Sequence, residues 1–298
     1  MTTKQNFGDN VWLDGQIVPT DEAQISVMSH ALHYGSSAYE GIRIYGYKPF
    51  KLDEHLERLF YSAKVIGLEI KTSPSDVKKA CLELIKINNV ENGYMRPLVW
   101  RGKGENMVIG GSSCPIHLLI SAWSSFEDKR KEFRKNGLKL CISSWRKPPK
   151  ESSPCAAKVA SIYTISTMVK NEAESMGFDD AIMLDMHGNL TEISTSNIFF
   201  IKNRELITPL ADCFLNGITR QTIIKEVAPN LGAYTREMHM HLKDIENFDS
   251  AFVSGTAAEI VPISSIHYEG KVKEFNIDHD LLKELMVSFH KLASMGKS

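Results

Sequence analysis

Pro154-Cys155-Ala156-Ala157-Lys158-Val159-Ala160-Ser161-Ile162-Tyr163 sets one lysine among small and apolar residues, just ahead of a helical run. Such a lysine has two readings. Desolvation favours the neutral amine, and a neutral amine forms an imine with an aldehyde, which makes Lys158 a candidate Schiff-base residue. Alternatively the stem covers the alanines while the ammonium reaches water, as on any surface. The decapeptide leaves both open, so the flanking chain must decide.

Downstream, a helix is expected over about 160–176, then a strand over 180–185, a turn at His187-Gly188-Asn189, and a strand returning over 190–201. Glu192 lies in that return, followed by short hydroxyl residues and four apolar ones. A carboxylate drawn inward needs a cation or several donors, whereas one beside a turn can stay solvated. Two later turns suit a phosphate. Asn216-Gly217-Ile218-Thr219-Arg220 opens a helix running through Ile223, Ile224 and Val227, so its first amides point outward with the positive end of the helix dipole. Ser254-Gly255-Thr256-Ala257-Ala258 follows a short strand and again offers amides and a hydroxyl. Gly and Thr at helix starts also serve as plain caps. An amphipathic helix is expected over 278–292.

Upstream, Asp14-Gly15 joins two short strands as a hairpin. Tyr34, Gly35, Tyr39 and Gly41 fall within eight residues, ahead of a strand that begins at Ile42. Tyrosines at glycine-rich bends line pockets or fill cores. Asp53 is expected to cap a helix carrying Leu56, Leu59, Phe60, Ala63 and Ile66 and ending at Gly67. Arg58 lies off that stripe and reads as an exposed partner of Glu54. Ser75 is expected to start a second helix with Val77, Cys81, Leu84 and Ile87 on one face. Strands follow over 94–100 and 116–123, and Arg96 inside the first is costly to bury unless it meets an anion. The polar stretch 124–137 reads as a linker between domains at 1–123 and 138–298.

The 298 residues can bury a substantial core, and 43% apolar with 24% charged residues describes an ordinary globular chain. Lys and Arg number 35 against 36 Asp and Glu, without basic or acidic blocks, which gives no footing for nucleic acid or membrane partners. The first residues carry no apolar signal core, and a cytoplasmic location is expected. Five scattered cysteines read as reduced thiols, and the histidines show no metal pattern. Gly-x-Gly-x-x-Gly is absent, and Gly270-Lys271 is followed by Val272 rather than by a hydroxyl residue. Ser75-x-x-Lys78 lacks companion motifs.

A lysine, a tyrosine five residues on, a carboxylate and two phosphate-friendly turns are the parts pyridoxal phosphate requires. It needs an amine for its aldehyde, an acid for its ring nitrogen, a donor for its phenolate and amides for its phosphate. Seven patches then occur in order: 29–35 (Ser-His-Ala-Leu-His-Tyr-Gly), 39–43 (Tyr-Glu-Gly-Ile-Arg), 94–98 (Tyr-Met-Arg-Pro-Leu), 156–158 (Ala-Ala-Lys), 190–192 (Leu-Thr-Glu), 216–220 (Asn-Gly-Ile-Thr-Arg) and 254–260 (Ser-Gly-Thr-Ala-Ala-Glu-Ile). On these, the chain from about Val11 to Ile263 resembles the branched-chain amino acid aminotransferases, which are fold-type IV pyridoxal phosphate enzymes.

The resemblance implies an α/β fold of two domains, a small N-terminal and a larger C-terminal cofactor-binding one, with the site in the cleft. It implies that Lys158 holds the cofactor and moves the proton between substrate Cα and cofactor C4′. Glu192 would face the ring nitrogen, whose positive charge supplies the cation that the carboxylate needs, and Tyr163 would bond the phenolate. Arg58, the amides of Ile218 and Thr219, and Thr256 would take the phosphate, which replaces the surface reading of Arg58. Tyr94 and the amides of Thr256 and Ala257 would receive the substrate α-carboxylate. Tyr34 and Arg96 would receive the distal carboxylate of glutamate, and Tyr39 would wall the apolar pocket. The implied partners are amino acids and 2-oxo acids, no metal is required, and the assembly is a homodimer or a higher oligomer up to a hexamer.

Two departures stand out. Bacterial members often have Glu-Gly-Ala-Gly-Glu-Asn where this chain has Glu192-Ile193-Ser194-Thr195-Ser196-Asn197, and Phe126 stands where a tyrosine helps bind the distal carboxylate. D-amino acid or (R)-amine transaminases and aminodeoxychorismate lyase share the fold, and the 29–35 patch favours the branched-chain enzymes over them. A cofactor-carrying protein without turnover is the alternative of another class.

Overall fold

The computed structural model describes residues 7–124 and 129–295, which fall into two compact units. One holds 7–124 together with Ala157–Ser161, and the other holds 129–156 and 162–295.

In the first unit Asp14 and Gly15 take positive φ of 47° and 101°. They turn β1 (Asn10–Leu13) back onto β2 (Gln16–Pro19), as Asp-Gly favours. A short helix α1 (His30–Tyr34) leads to β3 (Ser37–Tyr39), β4 (Ile42–Tyr45) and β5 (Lys48–Pro49). Helices α2 (Leu52–Val65) and α3 (Pro74–Ile87) follow, then the long strands β6 (Gly93–Arg101) and β7 (Ile116–Ser124). The strands run in the order β2-β1-β7-β6-β4-β5, with β3 also on β6. Leu56, Leu59 and Ala63 of α2 and Val77, Cys81 and Leu84 of α3 repeat at three and four residues, and they bury one stripe against Ile42, Met95 and Ile120 of the sheet.

Both helix starts differ from expectation. Helix α2 begins at Leu52, behind Lys51 in the left-handed conformation, so Asp53 lies in the first turn, where it suits the dipole and pairs with Lys78 at 2.7 Å. Ser73, rather than Ser75, caps α3: its Oγ accepts the Asp76 N–H at 3.2 Å, and Pro74 takes the first helical position. Ile87 is exposed, and Ala80 and Ile85 complete the buried face instead.

The second unit opens with α4 (Lys129–Asn136), so the stretch read as a linker is partly helical. Next comes β8 (Leu138–Arg146); a 3-10 turn over Ala160–Ile162, which begins in the segment that belongs to the first unit, replaces the first expected helical turn, and α5 (Tyr163–Ser175) follows. They lead to β9 (Asp180–Leu184), β10 (Leu190–Ile193), β11 (Asn197–Lys202) and β12 (Glu205–Pro209). Helix α6 (Ile218–Thr222) passes through a π-helical stretch, Ile223–Val227, into α7 (Ala228–Asn230). The chain ends with β13 (Tyr234–Met238), β14 (Ser250–Gly255), β15 (Glu259–Tyr268), β16 (Lys271–Glu274) and the amphipathic α8 (Asp280–Met295).

The sheet runs β10-β9-β8-β15-β14-β11-β12-β13, with β16 on β15, and β10 also pairs with β11. After Asp180, strand β9 is an unbroken apolar run because both its faces are covered. Ile182 enters the main core with Phe200, Val253 and Ile263, while Ala181 and Met183 meet Val169 and Ala173 of α5. Residues 190–201, read as one strand, are two. The Ile193 N–H donates to Ser196 O at 3.0 Å and Ser194 Oγ donates to Asp180 Oδ2 at 2.7 Å, so short hydroxyl residues satisfy a turn where a strand was expected.

Ser73→Ala is expected to lose about 1 kcal/mol and Ser75→Ala less than about 0.5 kcal/mol in urea unfolding. Equal losses would contradict the assignment of the cap.

Candidate active site

The segment around Lys158 is sewn to the first unit through its backbone. The Lys158 N–H donates to Ser62 Oγ of α2 at 2.8 Å, its carbonyl accepts the Tyr39 N–H at 3.2 Å, and Ala38 of β3 bridges antiparallel to Val159. Ala157 and Val159 are buried, whereas Lys158 is half-buried. The main chain is thus set, and Nζ lies 4.8 Å from the centre of the Tyr39 ring. The Arg96 guanidinium lies 4.7 Å from the same ring and 5.6 Å from that of Tyr94. Two cations on one aromatic ring form a positively charged, partly desolvated patch suited to anions. Arg96 Nε is buried without a hydrogen-bond partner among the described residues. Tyr94 packs against Trp123, and its hydroxyl occupies the space over Gly41, where an added Cβ would come within 1.7 Å. Gly41 therefore has to lack a side chain. Tyr34 is exposed and donates its hydroxyl to Met107 O at 3.0 Å.

Arg58 is not the exposed partner of Glu54, which instead pairs with Lys51 at 3.1 Å. Its guanidinium grips Glu40 with two bonds, Nε to Oε1 at 2.6 Å and Nη2 to Oε2 at 2.9 Å. Glu40 is fully buried, and His55 Nδ1 lies 2.6 Å from Oε2. Burial alone pushes the Glu40 carboxyl up, but His55 and Arg58 outweigh it and hold the group at about 2. Burial pushes His55 below its ordinary value against the pull of Glu40. Glu40 and His55 carry no motif of their own, and only the position of Glu40 in the 39–43 patch could have marked one of them.

In the second unit Glu192 is buried, which excludes the solvated reading. Its cation is Lys147, with Nζ 2.6 Å from Oε1, while Asn197 Nδ2 donates to Oε2 at 3.2 Å. Lys147 is thus a cation beside Glu192 that the sequence reading did not include. Lys147 was missed because it sits in a charged, proline-flanked loop with no periodicity. Asn197 also donates to Leu215 O at 3.0 Å and accepts the Gly217 N–H at 3.2 Å, tying Glu192 to the turn ahead of α6. A Cβ on Gly217 would stand 2.4 Å from Asn197 Oδ1. The departure over 193–196 therefore leaves the Glu192–Asn197 contact in place.

The amides of Ile218 and Thr219 precede the first intrahelical bond, from Gln221 N–H to Gly217 O at 2.9 Å. Arg220 is fully buried on Thr208, Asn216, Pro209 O and Glu237, and so acts as a brace. At the end of β14, Ser254 Oγ is fully buried without a hydrogen-bond partner among the described residues. Gly255 approaches Ser196 so closely that a Cβ would stand 3.0 Å from its Oγ. Thr256 and Ala257 follow, half-buried, and Tyr163 opens α5, also half-buried. Phe126 lies outside the described residues. Among the described residues no group of three or more His, Cys, Asp or Glu could hold a metal ion, and no helix is long and apolar enough to cross a membrane.

Known proteins match this chain in sequence and in fold. A family model described as amino-transferase class IV matches residues 37–266. A probable branched-chain-amino-acid aminotransferase of Rickettsia felis is 42% identical over 283 residues, 95% of each chain. The branched-chain-amino-acid aminotransferase of Escherichia coli K12 is 36% identical over 274 residues, 89% of this chain and 87% of that one. Among solved structures, the branched-chain aminotransferase from the thermophilic archaeon Thermoproteus uzoniensis with norvaline aligns with a TM-score of 0.88 at 31% identity, covering 98% of this chain and 96% of that one.

Glu40→Gln is expected to cost about 3–5 kcal/mol near neutral pH, because Arg58 then keeps its charge in a buried setting without a counter-ion. The folded-state value of Glu40 lies below its ordinary 4.5, so its contribution is full above that value and is lost as pH falls toward about 2. The gap between wild type and variant in urea unfolding should therefore close across that window. A gap independent of pH would contradict the assignment.

Proposed function

The chain belongs to the class IV aminotransferases, among the branched-chain amino acid aminotransferases, and on that premise we propose that it reversibly transfers the amino group of L-leucine, L-isoleucine or L-valine to 2-oxoglutarate. The products are the branched 2-oxo acid and L-glutamate. Class IV aminotransferases use pyridoxal phosphate, whose protonated ring takes up the electrons released at the substrate Cα. The observation that carries this reading is Lys158 Nζ sharing the Tyr39 ring with Arg96. It puts an amine, an anion-seeking guanidinium and an apolar wall in one place.

Lys158 would hold the aldehyde of pyridoxal phosphate and would carry the proton taken from the substrate Cα. Glu192 would hold the ring nitrogen and its proton, and Tyr163 would donate to the phenolate oxygen. Arg58, the amides of Ile218 and Thr219, and the Thr256 hydroxyl take the phosphate. The buried Ser254 hydroxyl, without a hydrogen-bond partner among the described residues, supports this fit, since it offers a donor beside Thr256 for a group rich in acceptors. Tyr94 and the amides of Thr256 and Ala257 receive the α-carboxylate. Arg96 and Tyr34 receive the distal carboxylate of glutamate, Tyr34 by giving up its bond to Met107 O. Tyr39 walls the branched side chain. One site then serves an apolar and an anionic side chain in turn, with Arg96 stacked on Tyr39 and Tyr94 or turned toward the acid.

The enzyme is a homo-oligomer in this reading, a homodimer or a larger assembly up to a hexamer, and the exposed Val27, Leu32, Val108 and Ile109 of the first unit favour association. We place it in the cytoplasm, which fits its five free thiols.

Initial rates with 2-oxoglutarate as acceptor should favour L-leucine, L-isoleucine and L-valine over D-alanine. A preference for D-alanine, or for aminodeoxychorismate as substrate, would overturn the assignment. Lys158→Ala should fold with near-normal stability yet lose transamination by about 10³-fold or more. Near-normal activity in that variant would remove Lys158 from the mechanism.

A further inference from the structure

Glu192 is held by more than the reaction asks of it. Lys147 Nζ stands 2.6 Å from Oε1, with about 8% and 10% of the two side chains exposed. Lys147 does not reach this position by flexibility. Its own N–H donates to Leu184 O at 2.9 Å, just past the irregularity in the β8–β9 register between Ile142 and Arg146. That bond fixes its backbone beside the turn that leads into β10. From the other side Asn197, directly paired with Glu192 across β10 and β11, donates to Oε2. Arg220 also interacts with Glu192 through its charge, but its guanidinium is engaged by Thr208, Asn216, Pro209 O and Glu237. Lys147 makes a direct ion pair with this carboxylate.

We infer that Lys147 is a positioning residue that shares the Glu192 carboxylate with the cofactor's ring nitrogen. Two cations then draw on one anion, and the hold of Glu192 on the ring proton is set by how much of the carboxylate Lys147 retains. The inference rests on the reading of Glu192 given above. It has a signature that a merely structural ion pair lacks, because Lys147 and the cofactor become thermodynamically coupled through Glu192. Without Lys147, the buried carboxylate loses its close ion pair in the cofactor-free protein and gains a new cation when pyridoxal phosphate binds.

The test compares wild type, Lys147→Met and Lys147→Arg, each with and without pyridoxal phosphate. Lys147→Met should lower the melting temperature of the cofactor-free protein more than that of the holoenzyme, and should bind pyridoxal phosphate about threefold or more tighter than wild type. Removing a nearby cation should also raise the pH midpoint of the bound cofactor's visible absorption by roughly half a unit or more. Lys147→Arg should return all three readouts toward wild type. Lys147→Gln, uncharged but able to donate a hydrogen bond, should behave as the methionine variant does and replaces it if that variant does not fold. Equal loss of melting temperature with and without cofactor, together with an unmoved midpoint, would overturn the inference. Glu192→Gln run in parallel separates the two claims: if it abolishes transamination while the Lys147 variants behave as wild type, only the role of Lys147 fails. If Glu192→Gln is itself active, the reading of Glu192 fails with it.

Discussion

The arrangement depends first on how the backbone of Lys158 is held. Its N–H is taken by Ser62 and its carbonyl by Tyr39, and Val159 bridges to Ala38. A lysine side chain has four rotatable bonds and loses considerable entropy on ordering. Fixing its Cα on a buried sheet and helix means that only the side chain remains to be placed, and the Tyr39 ring gives the ammonium a resting position. Ala157–Ser161 therefore belongs with the strands and helices that precede it by about a hundred residues, rather than with the helix that follows.

A second constraint is charge balance in buried places. Glu40, Glu192 and Arg220 are each buried, and each has an opposite charge and further hydrogen bonds: Glu40 with Arg58 and His55, Glu192 with Lys147 and Asn197, Arg220 with Glu237 and its carbonyl and side-chain acceptors. Buried ions without such partners would be costly. The pairs contribute geometry more than net stability. Glu40 orients the Arg58 fork through two parallel bonds, and a guanidinium oriented in this way meets an oxyanion with less ordering left to lose.

Much of this was legible in the sequence. The Asp14-Gly15 hairpin, the long strands around Arg96 and Trp123 and the apolar stripe of α2 follow from turn chemistry and periodicity. The seven patches marked Lys158, Arg96, Glu192 and the two turns, and hence the family, and Arg58 entered only through that resemblance. What escaped was pairing across distance. Lys147 is 45 residues from Glu192 and Glu40 is 18 from Arg58, and neither spacing belongs to a helix or strand. Arg58 was first given Glu54 because a local partner one turn away is all that periodicity can offer, whereas the tertiary structure supplied Glu40. Ser73 and Ser75 are equally good caps by type, and Pro74 between them decided the matter by its fixed φ.

The central claim is that Lys158 is the residue that captures the aldehyde of pyridoxal phosphate. Borohydride reduction of the holoenzyme, followed by digestion and mass mapping, tests it most directly. A single reduced phosphopyridoxyl adduct on the peptide bearing Lys158 is the predicted result. An adduct on Lys147 instead, or no adduct in protein saturated with pyridoxal phosphate, would contradict the account.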